Sequence, residues 1–353
     1  MTDLFKKLSV GEALTDDEWT LLIEGSYDRQ LLYDSADEVR RQHYGEKVYI
    51  RGLIEISSFC NNNCYYCGIR CANTNAERYR LSDEEIFRCC DAGYRLGFRT
   101  FVLQGGEDAY YTAERVKRII STIKDNHPDC AVTLSLGERP RADYEVWYRE
   151  GADRYLLRHE TASRIHYEKL HPPDQSFSAR MECLRALKEI GYQTGCGFMV
   201  GSPYQGTPEL IADMRFLQAF QPHMVGIGPF IPHRDTPFAA CAAGTLEQTL
   251  TMLALIRLML PYVLLPATTA LGTIHPEGRE LGLKAGANVV MPNLSPGEVR
   301  KKYSLYDNKL CTDEEAAEGI AALRERIAAA GYEIVTDRGD ARPDKNGRKE
   351  LYK

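Results

Sequence analysis

Three cysteines in one short stretch are the residues of this chain whose spacing could support redox or metal chemistry. They occur as Cys60-Asn-Asn-Asn-Cys64-Tyr-Tyr-Cys67, directly after residues 48–57, whose alternating apolar pattern predicts a β-strand. A cubane iron–sulfur cluster takes four ligands, so three thiolates would leave one iron with a vacant position. That position could bind and reduce a small molecule, and Tyr66 would place an aromatic ring beside it.

A structural zinc site is the alternative for the same loop. Cys71 could be its fourth ligand, since structural zinc is commonly held by four thiolates. Structural zinc sites usually divide their ligands into two separated pairs. The close spacing of the three cysteines therefore favours the cluster.

Length, composition and charge limit the class of protein. The chain has 353 residues, enough for one α/β barrel or two to three ordinary domains, and its apolar fraction of 44% allows a large core. A net charge of −6 argues against a nucleic-acid partner. The N-terminus lacks the apolar region of a signal peptide, and the longest apolar run is interrupted by Arg257, Pro261 and Pro266. Eleven cysteines without a secretory signal predict a cytoplasmic protein that does not act at a membrane.

Strand and helix patterns alternate along most of the chain. Eight amphipathic helical stretches each follow one strand, the last near residues 313–330. This count predicts a complete (β/α)8 barrel over residues 46–331, with N-terminal helices at 1–45 and a polar C-terminal tail at 332–353, of which residues 338–353 are predicted to be mobile. A doubly wound open sheet is the alternative, but no Gly-rich phosphate-binding turn opens any unit. The predicted strands are 48–57, 100–105, 131–136, 154–160, 194–200, 224–230, 264–270 and 288–293.

Charged side chains share a face with each other in two of the predicted strands. Arg51 and Glu55 share one face of the first strand, and Arg154, Arg158 and Glu160 share one face of the fourth. The apolar residues on the opposite faces must pack against helices, so the charged residues point into the barrel. Each unpartnered buried polar group would cost about 1–3 kcal/mol, so such an interior must hold water or a polar ligand. Three arginines against two glutamates favour an anionic ligand; a self-satisfied ion network is the alternative.

Two turns and one histidine carry further signals. The turn Gln104–Asp108 has two glycines that allow close backbone approach and two carboxylates that could take an ammonium group. The segment Pro266–Ala270 places two threonine hydroxyls near the end of the seventh strand. His159 has the outward parity of its strand and is predicted to be a packing residue.

Longer strings resemble a known family. The cysteine spacing with Tyr66 resembles the radical S-adenosylmethionine signature, and three segments resemble the HydE family of FeFe-hydrogenase maturases, in the biotin synthase-like branch of that superfamily. These segments are Tyr155–Thr161, Gly226–His233 and Pro266–Thr273, and the resemblance runs from about residue 45 to 311. The family fold is a (β/α)8 barrel, in agreement with the strand count.

The resemblance implies cofactors and site residues. It implies one 4Fe–4S cluster on Cys60, Cys64 and Cys67, with S-adenosylmethionine chelating the fourth iron. Cofactor-binding residues would be Tyr66, Gly105, Gly106, Glu107, Ser135, Glu160 and Arg180, with the Gly-Gly-Glu turn at the methionine amino group and Arg180 at the carboxylate. Residues lining the substrate cavity would be Arg158, Thr268, Thr269 and Tyr306, with Arg51 and Arg154 deeper in the barrel. Many family members have further cysteines near the C-terminus for an auxiliary cluster, whereas here only Cys311 stands there, so a single cluster is predicted.

The implied activity is radical chemistry during assembly of the FeFe-hydrogenase active site. The enzyme would generate a 5′-deoxyadenosyl radical that attacks a small, cysteine-bearing iron complex with carbonyl and cyanide ligands. Its partners would be other hydrogenase maturases and an electron donor. The alternatives are a related radical enzyme acting on an amino-acid-derived substrate, of the methylornithine synthase type, and a non-catalytic metal-binding protein. Biotin synthase itself needs a second cluster inside the barrel, whose cysteine ligands are not evident here.

Overall fold

The computed structural model of this protein describes residues 1–310 and 316–342. Cys311, the helix cap predicted at Thr312 and Glu315, and residues 343–353 of the predicted tail lie outside the described residues. Within the described part, no helix is long and apolar enough to span a membrane.

Parallel strands alternate with helices from residue 47 onward, as the sequence predicts. The strands are β1 (Lys47–Ile50), β2 (Gly52–Ser57), β3 (Thr100–Gly105), β4 (Ala131–Ser135), β5 (Ala152–Leu156), β6 (Gln193–Cys196), β7 (Met199–Val200), β8 (Met224–Val225), β9 (Gly228–Pro229), β10 (Val289–Val290) and β11 (Glu333–Val335). The helices are α1 (Thr2–Ser9), α2 (Asp16–Glu24), α3 (Arg29–Tyr44), α4 (Asp83–Arg95), α5 (Ala113–Asn126), α6 (Arg141–Arg149), α7 (Arg164–Leu170), α8 (Phe177–Ile190), α9 (Thr207–Phe220), α10 (Leu246–Met259), α11 (Thr269–Ile274), α12 (Gly278–Lys284), α13 (Gly297–Arg300) and α14 (Ala316–Ala329).

The central sheet is parallel and follows chain order. Six strands pair as β2-β3-β4-β5-β6-β8. Single parallel bridges then join Met224 to Leu264 and Pro266 to Val289, and β10 pairs with β1, so the pairings lead back toward the first strand. This confirms the predicted (β/α)8 barrel type. All carboxyl ends of such strands lie at one end of the barrel, where the loops that carry chemistry are found.

The predicted seventh strand is the main error in the strand assignments. Residues 264–270 make only single bridges, and the chain turns into α11 at Thr269. Pro266 has no N–H to donate to a ladder, which explains why a regular strand does not form. The consequence is functional, because Thr268 becomes the residue that precedes a helix at the active-site end.

The prediction that a separate polar tail begins at residue 332 is wrong for its first part. Glu333–Val335 form β11, which pairs in parallel with β1. The following residues, up to Arg342, contact the amino-terminal end of the barrel strands through Arg338 and Asp340. Charged residues with Gly and Pro have the composition of a loop, and their ion-pair partners lie too far away in the sequence to be recognised.

The N-terminal helices pack against the outside of the barrel. α3 packs against α10 and α12, and α2 packs against α9. Arg40, fully buried on α3, donates hydrogen bonds to the carbonyls of Gly45, Lys47 and Ala287. These bonds attach the helix to the start of β1.

Candidate active site

The three-cysteine loop begins directly after β2, at the carboxyl end of the barrel strands. Burial raises the pKa of all three thiols, that of Cys64 to about 11, although the positive charge of Arg180 opposes the shift at Cys64. The backbone N–H of Asn62 donates to Sγ of Cys60 at 3.4 Å. A buried thiol gives up its proton most readily to a metal ion, which replaces the proton's charge.

Arg78 folds the loop back on itself. Its guanidinium donates to the carbonyls of Ser58, of Ile69 at 2.8 Å and of Arg70 at 2.7 Å. These carbonyls flank the cysteines on both sides, so one side chain fixes the entry and exit of the loop.

A close approach of the next loop completes this support. A Cβ on Gly106 would lie 2.2 Å from the carbonyl oxygen of Phe59 and 2.6 Å from Cβ of Cys60. Only glycine fits there. The N–H of Asn61 donates to the carbonyl of Glu107 at 3.0 Å, so the Gly-Gly turn and the cysteine loop form one unit.

The arrangement gives no support to the zinc alternative. Cys71 is exposed, and its N–H bonds to the carbonyl of Asn62. Among residues 1–310 and 316–342, no three His, Cys, Asp or Glu side chains lie close enough together to share a single ion.

Tyr66 is held by a histidine that sequence reasoning missed. Its hydroxyl lies 3.1 Å from Nε2 of His171, and Nδ1 of His171 lies 2.9 Å from the carbonyl of Tyr167. Nδ1 must donate to that carbonyl, which leaves Nε2 as the acceptor for Tyr66. Burial lowers the pKa of His171 to about 3, so the ring stays neutral and keeps this role.

The two carboxylates of the Gly-Gly turn have different surroundings. Asp108 accepts from both Nε and Nη2 of Arg80, at 2.7 and 2.9 Å, and from Ser57 at 2.7 Å. The predicted pairing of Asp108 with an ammonium group is therefore wrong, because its oxygens are already used. In Glu107, Oε1 accepts a hydrogen bond from the N–H of Glu138 at 2.8 Å, and Oε2 is left for a ligand.

A short chain of charged groups lies across the cysteine loop. Nη2 of Arg158 is 3.0 Å from Oε2 of Glu160, and Nε of Arg180 is 2.7 Å from Oε1 of Glu138. Neither contact has hydrogen-bond geometry, so Nε and Nη2 of Arg158, Oε2 of Glu160 and Nε of Arg180 are buried without a hydrogen-bond partner. Glu160 also has a φ of 65°, a region that few non-glycine residues adopt.

Thr268, Thr269 and Tyr306 come from two other loops at this end. The hydroxyl of Thr268 is buried and has no hydrogen-bond partner, and it would lie 2.8 Å from a Cβ on Gly228. Thr269 begins α11, and Tyr306 lies in the loop that follows α13. Ser135 ends β4 and pairs in register with Gln104.

Arg154 lies at the opposite end of the barrel, and its contacts agree with the structural ion network that the sequence left open as the alternative to substrate binding. Each of its guanidinium nitrogens has a partner: Gln193 at 3.2 Å, Thr100 at 2.9 Å, and the Arg338 carbonyl and Asp340 at 2.9 and 2.6 Å. It therefore belongs to an ion network that ties the 338–342 segment to β5.

Arg51 is a different case. Its Nη1 contacts Sδ of Met224 at 2.9 Å, while Nε and Nη2 are buried without partners. Burial and the charge of Arg154 lower the pKa of its guanidinium. The interior of the barrel thus contains one satisfied and one unsatisfied arginine below the cysteine loop.

Two interior residues, Asn293 and Lys309, were not singled out from the sequence, and both contact Glu55, which was predicted to face the interior. Glu55 is fully buried and pairs with Lys309 and with Nδ2 of Asn293, the latter at 2.8 Å. Lys309 lies in an irregular loop without a motif. In the sequence, the only indication of this pairing was that Glu55 lies on the inward face of its strand, where a buried carboxylate needs a cation.

His159 is a satisfied packing residue, as predicted. Its Nδ1 accepts from the N–H of Gly197 at 3.2 Å, and its Nε2 donates to Asp213 at 3.2 Å. Burial lowers the pKa of His159 to about 3 and raises the pKa of Asp213. Oδ1 of Asp213 also accepts from the N–H of Ala162 at 2.6 Å, while Oδ2 is buried without a hydrogen-bond partner.

The chemistry of this donor set fits a cluster with a polar, zwitterionic ligand. Three thiols stand in one loop, and Gly106 lets the neighbouring turn pack closely against Cys60. Cationic and anionic side chains nearby hold buried polar atoms that lack partners, at a cost of about 1–3 kcal/mol each. A ligand that carries both an amino group and a carboxylate would satisfy them.

Comparisons with known proteins agree with this geometry. Residues 54–217 match the radical SAM superfamily. The [FeFe] hydrogenase maturase subunit HydE of Thermotoga maritima is 47% identical over 323 residues, which cover 92% of this chain and 90% of that protein.

The same architecture occurs in relatives that are named for a different activity. The 3-methylornithine synthase of Methanosarcina acetivorans is 31% identical over 334 residues, covering 93% of this chain and 92% of that protein. The crystal structure of a methylornithine synthase (PylB) superposes with a TM-score of 0.81 at 27% identity, covering 94% of this chain and 97% of that one.

Proposed function

Because the chain belongs to the HydE family of radical SAM enzymes, we propose that it matures FeFe-hydrogenase by radical chemistry on a small iron complex. The substrate is a cysteine-bearing iron complex with carbonyl and cyanide ligands. One observation carries this proposal. Buried polar atoms of Arg158, Glu160, Arg180 and Thr268 lack hydrogen-bond partners in the protein, next to a three-thiol loop.

The protein's own residues divide into a cofactor set and a substrate set. Cys60, Cys64 and Cys67 would hold one 4Fe–4S cluster, which would supply the electron that cleaves S-adenosylmethionine into methionine and a 5′-deoxyadenosyl radical. The residues that position the methionine and adenosine parts come from the cysteine loop, from neighbouring strand ends and loops, and from α8. They are Tyr66, Gly105, Gly106, Glu107, Ser135, Glu160 and Arg180.

The substrate set shares Arg158 with the Arg158–Glu160 pair. Arg158, Thr268, Thr269 and Tyr306 orient an anionic complex, with Arg158 able to clamp a carboxylate through two parallel hydrogen bonds. The long loops around the barrel end exclude water, which would otherwise compete for the same donors. Arg51 adds positive charge from below.

The context of the reaction follows from the family. Other hydrogenase maturases supply the iron complex and receive the product, and a separate protein donates the electron. The enzyme works in the cytoplasm, without a nucleic-acid or membrane partner. Thiol ligands and a reduced cluster both require a reducing compartment.

Substrate-dependent formation of 5′-deoxyadenosine tests the proposal. The reconstituted enzyme is incubated anaerobically with S-adenosylmethionine and dithionite, alone, with a cysteine-bearing iron carbonyl cyanide complex, or with free basic amino acids. We expect the iron complex to be consumed in proportion to the 5′-deoxyadenosine formed. Consumption of an amino acid instead would show that the enzyme is of the methylornithine synthase type. A chain that binds one zinc and no iron would rule out both of these radical enzymes.

A further inference from the structure

The end of α7 and the turn that follows it contact two neighbouring residues of the cysteine loop, Cys64 and Tyr65. The carbonyl of Leu170 accepts from the N–H of Tyr65 at 3.0 Å. The amide oxygen Oε1 of Gln175 lies 3.4 Å from Sγ of Cys64. A turn closed by the N–H of Gln175 and the carbonyl of Pro172, at 3.0 Å, fixes where this amide stands.

The Gln175 amide is poorly satisfied in this orientation. Its Nε2 is buried and has no hydrogen-bond partner, whereas its Oε1 accepts from the thiol of Cys64. A buried amide nitrogen without an acceptor costs about 1–3 kcal/mol. The orientation is tolerable only while Cys64 carries a proton to donate.

Binding of the Cys64 sulfur to iron would release that proton to solvent. A sulfur bound to iron can only accept hydrogen bonds, so Oε1 and Sγ would become two acceptors facing each other. A half-turn of the amide about its last side-chain bond places Nε2 against the sulfur and moves no proton. The turn exchanges a repulsive contact for an N–H···S hydrogen bond and gives the buried nitrogen a partner.

We propose that Gln175 donates a side-chain hydrogen bond to the cluster ligand Cys64 and thereby raises the reduction potential of the cluster. The inference rests on the proposed ligation of the cluster by Cys64. One-electron reduction adds negative charge that spreads onto the ligand sulfurs, so an N–H donor stabilises the reduced form more than the oxidised one. The backbone N–H of Asn62 at Sγ of Cys60 gives that thiol a comparable donor.

Potentiometric titration of the reconstituted full chain, followed by the electron paramagnetic resonance of the reduced cluster, tests this role. Gln175→Met keeps the length of the side chain but has no donor, and Gln175→Glu also adds negative charge. We expect Gln175→Met to shift the reduction equilibrium about tenfold toward the oxidised form, about 59 mV for one electron. Gln175→Glu should shift it further.

A matched control and a second measurement complete the experiment. Gln42→Glu makes the same substitution on the exposed side of α3, at the opposite end of the barrel, and should leave the potential unchanged. The wild-type cluster should show an exchangeable-proton coupling that Gln175→Met lacks.

The outcomes separate this proposal from the one on which it rests. Four iron atoms per chain with an unchanged potential in both Gln175 variants would overturn the hydrogen bond and leave the ligation intact. Iron loss in both variants, with a normal melting temperature of the iron-free chain, would make Gln175 a residue needed for cluster assembly and overturn its tuning role. Failure of the wild-type chain to bind four iron atoms would overturn both proposals.

Discussion

Two arginines four residues apart, Arg154 and Arg158, show how the two ends of the barrel differ. Arg154, in β5, is fully buried and has a hydrogen-bond partner for each guanidinium nitrogen. Arg158, just beyond the strand, has two buried nitrogens with no hydrogen-bond partner and a single ion-pair contact to Glu160. At the first end, the buried arginine is fully hydrogen-bonded within the protein. At the second end, the buried nitrogens of Arg158 would need a ligand to provide their hydrogen-bond partners.

The comparison teaches that burial of charge is not by itself a sign of function. At the amino-terminal end, the 338–342 segment supplies Asp340 and a backbone carbonyl, so the charge of Arg154 is compensated within the fold. At the carboxyl end, Glu160 makes an ion-pair contact with Arg158, but among the described residues no segment supplies hydrogen-bond acceptors for Nε and Nη2 of Arg158. Unsatisfied buried groups that cluster near reactive thiols indicate a binding site.

The largest expected effect is at the cysteine loop. Cys64→Ala should abolish both the roughly 400-nm absorbance typical of the cluster class and the cleavage of S-adenosylmethionine, because two thiolates cannot hold a cubane. Cys71→Ala, an exposed cysteine in the same loop, is the matched control and should behave as the wild type. A full iron complement in Cys64→Ala would show that the ligand assignment is wrong.

The second prediction concerns the structural end. Arg154→Ala should lower the free energy of unfolding by about 3–5 kcal/mol, because it leaves a cavity and leaves the buried hydrogen-bond partners of Arg154 unsatisfied. Chemical denaturation of the iron-free chain measures this loss. Arg149→Ala, on the exposed side of α6, should change stability by less than about 0.5 kcal/mol. A stable Arg154→Ala variant that fails to bind substrate would place Arg154 in the active site after all.

The third prediction tests the ligand-binding end. Arg158→Lys should bind S-adenosylmethionine nearly normally but weaken substrate binding roughly 10- to 150-fold, the equivalent of about 1.5–3 kcal/mol. Glu160→Gln should impair cofactor binding first. Equilibrium binding of each ligand separates the two effects, and the exposed Arg164→Lys serves as the control. Equal losses of cofactor binding in both variants, with substrate binding spared, would identify a structural ion network.

The smallest effect is a pH dependence at the structural end. Burial disfavours the Asp340 carboxylate, but the Arg338 hydrogen bond and the charge of Arg154 outweigh it and hold the pKa of Asp340 well below its usual value. A depressed carboxyl pKa stabilises the fold above the unfolded value, about pH 3.9, and this contribution is lost as the pH falls further. Asp340 is partly exposed, so the contribution is about 1 kcal/mol or less.

Asp340→Asn should therefore show a smaller loss of stability than the wild type below about pH 4. Urea denaturation at a series of pH values from neutral to acidic measures the difference. Identical slopes for the two proteins would mean that Asp340 does not stabilise the fold through Arg154.

Local patterns in the sequence predicted much of the fold. The strand expected at 100–105 occurs at those residues and the strand expected at 131–136 occurs at Ala131–Ser135, because alternation depends only on neighbours in the chain. The strand expected at 264–270 failed at Pro266, where the loss of one N–H outweighed the apolar pattern. The tail expected from residue 332 failed because β11 gains its stability from β1, almost 300 residues earlier.

The sequence by itself determined the chemistry that is available: three thiols in one loop, a glycine turn one strand away, and arginines inside a barrel. Only the tertiary structure decided which of these groups are satisfied. Arg154 meets Asp340 across 186 residues and Glu55 meets Lys309 across 254. Electrostatic and hydrogen-bond energies depend on distances of a few ångströms between such groups, and the order of residues along the chain does not specify those distances.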